Sequence, residues 1–284
     1  MNCPAHHDAN PTSASRRFVT VPLTHRDAIG AEYQVLTFTV PDGLNALPGQ
    51  FVMVRGAGWG DAPLLARPMS VLSAGREPSI LIRVVGEGTR RMARAAPGEL
   101  FTLLGPLGNG WSAPPPGRRP LLVGGGVGIA PLLFWARSLS NRNLRPAGIY
   151  AARTAGHLPL ADEFGEVTEM WVTTEDGSRG QHGLATDALV ARLQSNMTVY
   201  TCGPEPMMAR VAEICADRGI PCEVSLEAPM ACGIGVCLGC AVPTTDGGFL
   251  YACDEGPCVD AARIDWLRAR NRQTSQSGAG AARD

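Results

Sequence analysis

The feature that most narrows what this chain can fold into is a run of cysteines near its C-terminus. Cys232, Cys237 and Cys240 stand at the spacing C-x4-C-x2-C, with Gly233, Gly235 and Gly239 between them, and Cys253 and Cys258 follow. A loop that wraps a compact inorganic cluster must bring backbone N–H groups close to sulfur and turn through positive φ, and glycine does both without a Cβ clash. The spacing matches the plant-type [2Fe–2S] run. Four thiolates also satisfy tetrahedral zinc, but zinc sites present two short knuckles, and this chain has one knuckle plus outlying cysteines. The pattern therefore favours a [2Fe–2S] cluster held by Cys232, Cys237, Cys240 and a fourth cysteine, Cys253 or Cys258. Cys3, Cys202, Cys215 and Cys222 have no partner at ligand spacing and read as small hydrophobes, Cys202 being a partial exception.

The 284 residues suffice for two domains and an appendage. Residues 1–16 and 271–284 are rich in Ser, Ala, Gly and Asn and are expected to be disordered. Residues 17–115 carry short alternating strands (33–40, 50–55, 79–85 and 100–104) separated by Pro and Gly, which predicts a small antiparallel β-barrel. A stiff Pro-rich stretch, 113–120, marks a boundary. Residues 121–220 change rhythm: strands at 121–123, 148–151, 169–173 and 198–201 alternate with helices near 131–139, 186–193 and 206–218. That is the pattern of a parallel α/β sheet with helices on both faces. Residues 221–268 are too few for a large core and are expected to fold around whatever the cysteines hold.

Charge excludes several partners. With 25 basic and 26 acidic residues the chain gives no reason to expect nucleic acid or an anionic membrane. Every basic residue is arginine, so Schiff-base chemistry and a Walker A loop are excluded for want of a lysine. No segment reaches the ~20 apolar residues of a membrane helix, and the N-terminus lacks a signal-type apolar core. The expectation is a cytoplasmic protein whose thiols stay reduced.

Three glycine-rich or arginine-bearing loops in the barrel point to a flavin. In Arg67-Pro68-Met69-Ser70 an arginine can grip a pyrophosphate with paired N–H donors, and a serine can reach a ring nitrogen. Alone, four such residues are also an ordinary turn. Gly86-Glu87-Gly88-Thr89 precedes a short helix, where exposed amides suit phosphate oxygens. Gly105-Pro-Leu-Gly-Asn-Gly110 is the third.

Nicotinamide signals follow. Gly124-Gly125-Gly126-Val127-Gly128 sits between a strand and a helix, where a dinucleotide phosphate binds. It departs from G-x-G-x-x-G, and no acidic residue follows about 20 positions later, so a true Rossmann dehydrogenase is disfavoured. Cys202-Gly203-Pro204 ends a later strand at the sheet's ligand-binding edge. Arg153 and Thr154 end the second strand near the expected adenosine ribose and leave NAD and NADP both open.

Taken with these motifs, the chain over residues 17–266 resembles the ferredoxin-reductase superfamily, and more closely the electron-transfer subunits of heteromeric NAD-linked dihydroorotate dehydrogenases. Further matches are 48–51 (PGQF), Thr174-Glu-Asp-Gly-Ser178, Ser225-Leu-Glu227 and Cys253-Asp-Glu-Gly-Pro257. The resemblance implies Cys253 as the fourth ligand. It also implies FAD held by Arg67, Ser70 and the 86–89 loop, and NAD as co-substrate. The implied partner is an FMN-containing catalytic subunit in a heterotetramer of two of each chain, which oxidises dihydroorotate in pyrimidine biosynthesis. A hydrogenase, a sulfide dehydrogenase or a ferredoxin:NADP reductase is the alternative setting for the same module.

Overall fold

The computed structural model describes residues 16–270, so the calls on residues 1–15, Cys3 and 271–284 lie outside the described residues. The first six strands are β1 (Arg17–Ile29), β2 (Tyr33–Phe38), β3 (Phe51–Gly56), β4 (Arg67–Ser73), β5 (Ser79–Arg83) and β6 (Leu100–Leu107). They close an antiparallel barrel in the order β1-β2-β5-β4-β3-β6, with β6 pairing back to β1. Alternation decides which side chains fill it: on β2, Leu36 and Phe38 are buried, and Thr37 between them is not. Phe38 meets Phe101 edge to face at 5.5 Å. Each such ring contributes about 1.5–3 kcal/mol through burial. Helix α1 (Glu87–Arg94) joins β5 to β6 and buries Met92 in the barrel.

The barrel agrees with the sequence reading in kind, and differs from it at two places. The Arg67–Ser70 motif does not lie between strands; it opens β4, and Arg67 pairs with Val54 in the ladder. Strand β1 carries an exposed, charged second half, which hides it from a hydrophobic pattern.

The second half of the chain is built on β7 (Arg119–Gly125), α2 (Ile129–Ser140), β8 (Ala147–Ala152), α3 (Ala161–Val167), β9 (Glu169–Thr174), β10 (Gln181–His182), α4 (Ala185–Arg192), β11 (Met197–Cys202), α5 (Glu205–Asp217) and β12 (Cys222–Ser225). Three short strands complete it: β13 (Ala241–Pro243), β14 (Phe249–Tyr251) and β15 (Cys258–Asp260). One sheet runs β10-β9-β8-β7-β11-β12-β15, parallel except for its last pair, and β13-β14 form a separate hairpin. From β7 the chain first moves outward through β8 and β9, then returns to the other side through β11 and β12. The strand order therefore reverses between β7 and β11, where open α/β sheets bind their ligands. Helices α2 and α3 cover one face, and α4 and α5 the other. Helix α2 is apolar nearly all round because it packs on both the sheet and barrel strand β4.

The stretch expected at 221–268 is not self-contained. Its first and last strands, β12 and β15, extend the nucleotide-type sheet, and only the turns and hairpin between them form the cysteine region. So short a segment has no core of its own and borrows a wall from the sheet. Among the described residues, no helix is long and apolar enough to cross a membrane.

Candidate functional site

A cleft of about 490 Å³ opens where the barrel faces the switch point of the sheet. Its floor is made by two runs brought together by sheet register, since Gly124 of β7 pairs with Cys202 of β11. Beyond that pair, Gly125-Gly126-Val127-Gly128 turns into α2, with Gly126 at φ +52 and open space where a Cβ would be. The turn and Cys202-Gly203-Pro204 interlock through missing side chains. A Cβ on Gly128 would lie 2.6 Å from the Cys202 carbonyl carbon, and one on Gly125 would lie 2.7 Å from Pro204 Cδ. Gly124 differs from its neighbours: its Cα faces Leu132 and Ile129 of α2, so it serves helix packing rather than the cleft.

The Gly128 contact sets an expectation. Gly128→Ala will drive a methyl into the β11 edge and force the two runs apart. The variant should unfold at a temperature lower by several degrees than the wild type, read by thermal melting.

The barrel supplies the opposite wall through Pro68, Met69, Ser70 and Thr89. Arg67 leans over α1: a Cβ on Gly88 would come within 2.7 Å of Arg67 Nε, so the guanidinium occupies the space that the glycine leaves. Thr89 Oγ1 accepts from the N–H of Val85 (3.0 Å) and Gly86 (3.1 Å) and donates to the Gly86 carbonyl (3.1 Å). That hydroxyl is consumed in shaping the turn. The free donors at this end are the first backbone amides of α1.

The end wall was not anticipated as a site. Ser225 ends β12, Leu226-Glu227-Ala228 follow it, and Pro257 precedes β15; all five line the cleft. The signal available in the sequence was their place just past a strand at the carboxyl edge of the sheet. Burial pushes the Cys202 thiol up to about 12, with the Glu227 charge adding to the rise and the Ser225 hydroxyl opposing it. Cys202 therefore presents a neutral S–H at neutral pH and is a poor nucleophile.

Around the cysteines, Gly233 (φ +73) and Gly235 (φ +80) adopt the left-handed turns expected of them, and Leu238 does so at φ +57. The four thiols fall into two pairs. Cys240 and Cys253 are buried with their sulfurs 3.1 Å apart, and the Cys237 thiol hydrogen-bonds Cys232 nearer the surface. Among the described residues, no three side-chain donors are grouped as one ion would need. Backbone amides point at the sulfurs: Gly235 N–H donates to Cys253 Sγ (3.0 Å), and Cys237 and Ile234 N–H to Cys232 Sγ (3.4 and 3.5 Å). Burial raises Cys232, but these amides outweigh it and hold the thiol down to about 7. Cys253, deeper, is pushed up to about 12 by burial and then by the Cys240 thiol. The other candidate, Cys258, stands apart on β15, buried against Gly49, Trp111 and Tyr200 as a core side chain.

Of the residues singled out in the sequence, Pro68, Met69, Ser70, Thr89, Gly125, Gly126, Gly128, Cys202, Gly203 and Pro204 share one cleft. Arg67, Gly86 and Gly88 sit at its edge, and Arg153 and Thr154 lie further out at the end of β8, where Thr154 Oγ1 contacts His157 Nδ1 at 2.8 Å.

Comparison with known proteins agrees with this architecture. The iron–sulfur cluster binding domain of dihydroorotate dehydrogenase B matches residues 227–265, and the oxidoreductase NAD-binding domain matches residues 122–213. The electron transfer subunit of dihydroorotate dehydrogenase B (NAD(+)) from Caldanaerobacter subterraneus is 40% identical over 83% of this chain and 94% of its own length. The subunit of the same name from Bacillus caldolyticus is 38% identical over 76% and 86%. A chain of the NADH-dependent reduced ferredoxin-NADP oxidoreductase superposes with a TM-score of 0.79 at 29% identity, covering 89% of this chain and 92% of that one. The FAD/NAD binding domain of nitric oxide dioxygenase from Vibrio cholerae shares the fold alone, at 0.65 and 20%. On the extent and identity of these matches, the chain belongs to the family of electron transfer subunits of NAD-linked dihydroorotate dehydrogenase B.

Proposed function

We propose that this chain carries electrons between a dihydroorotate-oxidising, FMN-containing subunit and NAD, through a [2Fe–2S] cluster and FAD. The observation that carries this reading is a shared wall. Phe51 lines the cleft and packs in one buried core with Met53, Leu107, Cys240 and Cys253. The cleft and the cysteine loop are thus two sides of a single dry layer. Bound there, FAD exchanges a hydride with a nicotinamide and single electrons with a cluster, which neither of the other two groups can do alone.

The residues present suit each group. Two pairs of thiols suit two irons, each taking two thiolates, better than one tetrahedral ion, and the iron charge would draw the protons off both pairs. Arg67 over the α1 amides forms a cationic, donor-rich edge for the FAD pyrophosphate, and Ser70 faces the cleft where the ring system would lie. The Gly125–Gly128 turn and Cys202–Pro204 would take the nicotinamide dinucleotide, their missing side chains allowing close approach. The neutral, half-buried Cys202 thiol would offer a polarisable face beside the ring.

The partner-facing surface is the cysteine loop. Ile234, Val236 and Leu238 are 37%, 75% and 53% exposed around the exposed Cys237. A solvent-facing apolar rim of this kind marks an interaction surface. Val236→Asp should weaken association with the catalytic subunit about tenfold or more and leave NADH reduction of FAD unchanged, measured by co-purification and flavin bleaching. Thiolates awaiting iron require a reducing compartment, which is the ground for placing the chain in the cytoplasm.

The decisive experiment mixes the holo-chain with an FMN-type dihydroorotate-oxidising subunit and follows dihydroorotate-dependent NAD reduction. Light scattering on the same mixture tests the two-plus-two assembly. A holo-chain with full flavin and iron that never couples dihydroorotate to NAD would transfer the reading to another partner. Similarity to a chain of the NADH-dependent ferredoxin-NADP oxidoreductase favours that second reading, in which the same module serves a different complex.

A further inference from the structure

The third glycine-rich loop of the barrel has no part in the cleft. Gly108 and Asn109 turn instead toward the segment that follows Cys253. The Asn109 N–H donates to the Gly256 carbonyl at 2.5 Å, and its side-chain Nδ2 donates to the carbonyls of Glu255 (2.8 Å) and Asp254 (3.4 Å). Three consecutive carbonyls after Cys253 therefore accept from a single residue. The segment is short and both of its ends matter: Cys253 is at one, and Pro257, which lines the cleft, is at the other.

The neighbouring residues anchor Asn109 to the barrel. Gly108, at φ +70, lies so close that a Cβ would meet the Gly256 carbonyl oxygen at 2.5 Å, Pro257 Cδ at 2.6 Å and Phe51 Cε1 at 3.1 Å. The buried Gln50 side chain donates to the Gly108 carbonyl at 2.7 Å and accepts from Leu47 N–H at 2.8 Å. On the other side of the cysteines, Gly233 packs directly on Met53 and Leu107.

We infer that Asn109 is a positioning residue that fixes the distance and orientation between the cluster held by Cys253 and the flavin against Phe51 and Pro257. The inference rests on the reading of Cys253 as a ligand and of the cleft as the flavin site. Its physical basis is that electron tunnelling falls off exponentially with separation. The Asp254 and Glu255 N–H groups donate to the Tyr251 carbonyl and tie the segment to its own turn, whereas the three Asn109 bonds are what tie its carbonyls to the barrel. Backbone carbonyls within hydrogen-bond reach of an amide, with no water needed between them, make the strut stiff.

The test uses the holo-chain with FAD and cluster loaded. Asn109→Asp keeps the size and the backbone N–H but replaces the side-chain donor with an acceptor facing carbonyl oxygens. Asn109→Ser removes the side-chain reach without adding charge. NADH is the reductant. It passes a hydride to FAD, and one of the two electrons then moves to the oxidised cluster while the other stays on the flavin, so flavin bleaching and cluster bleaching are read separately by rapid mixing. The expected result is wild-type iron content and wild-type flavin reduction, with cluster reduction slowed about tenfold or more in at least one variant. Cluster reduction at the wild-type rate in both variants, with iron retained, would overturn the inference. Loss of iron from both would overturn it too, because Asn109 would then hold the loop together rather than set a distance. Wild-type protein lacking iron or flavin after reconstitution would sink the underlying reading of the site instead.

Discussion

Cys237→Ser is expected to strip the iron from this protein while leaving its reaction with NADH intact. Cys237 is the most exposed of the four candidate ligands, and it makes no core contact whose loss would unfold the chain. Serine offers an alcohol far harder to ionise than a thiol, so one of the two sulfur pairs loses half its thiolate character. Dihydroorotate-dependent NAD reduction should fall by about 100-fold or more, because the route between partner and flavin is cut. NADH should still bleach the flavin at close to the wild-type rate, since the cleft and its two glycine-bearing runs are untouched. Iron and acid-labile sulfide analysis, read beside rapid-mixing flavin reduction, checks both halves. Retained electron delivery from the partner in iron-free protein would contradict the proposed route.

The second large effect is at Arg67. Its guanidinium sits over Gly88 and the amides that open α1, where a pyrophosphate would bring two negative charges. Charge-assisted, paired hydrogen bonds of this kind contribute about 1.5–3 kcal/mol each, so Arg67→Ala should lower FAD affinity roughly 100-fold. The variant should purify largely without flavin, and its iron content should hold. Arg67→Lys should recover part of the loss, because a lysine supplies charge without the planar fork. Equilibrium titration of apo-protein with FAD, run on the wild type and both variants, measures these affinities, and metal analysis reads the iron. Unchanged affinity in Arg67→Ala would remove Arg67 from the site.

Much of this protein was legible in its residue order, for reasons that are local. The spacing of Cys232, Cys237 and Cys240 and the glycines among them state a loop geometry directly, and Gly233 and Gly235 take the positive φ values which that geometry needs. The change from a two-residue to a helical period marks the change of architecture between β6, which ends at Leu107, and β7, which starts at Arg119, because period reports which face of an element is buried. The glycine run placed between a strand and a helix states a tight turn at the sheet edge, and Gly126 takes the positive φ of such a turn.

What stayed hidden depends on residues far apart in the chain. Arg67 meeting Gly88, Gly128 meeting Cys202 and Asn109 meeting 254–256 are contacts that no local pattern encodes. The Gly105–Gly110 loop read as a third barrel loop pointing to a flavin. Only the packing of β6 beside the cysteine segment turned it from the cleft toward Cys253. Likewise β12 and β15 read as parts of a separate small unit until the sheet claimed them, since a segment without its own core must pair with a neighbour. The order of residues therefore determined which chemical groups this chain can hold. The tertiary structure decided how far apart they stand, because distance is a property of packing between elements and not of spacing along the chain.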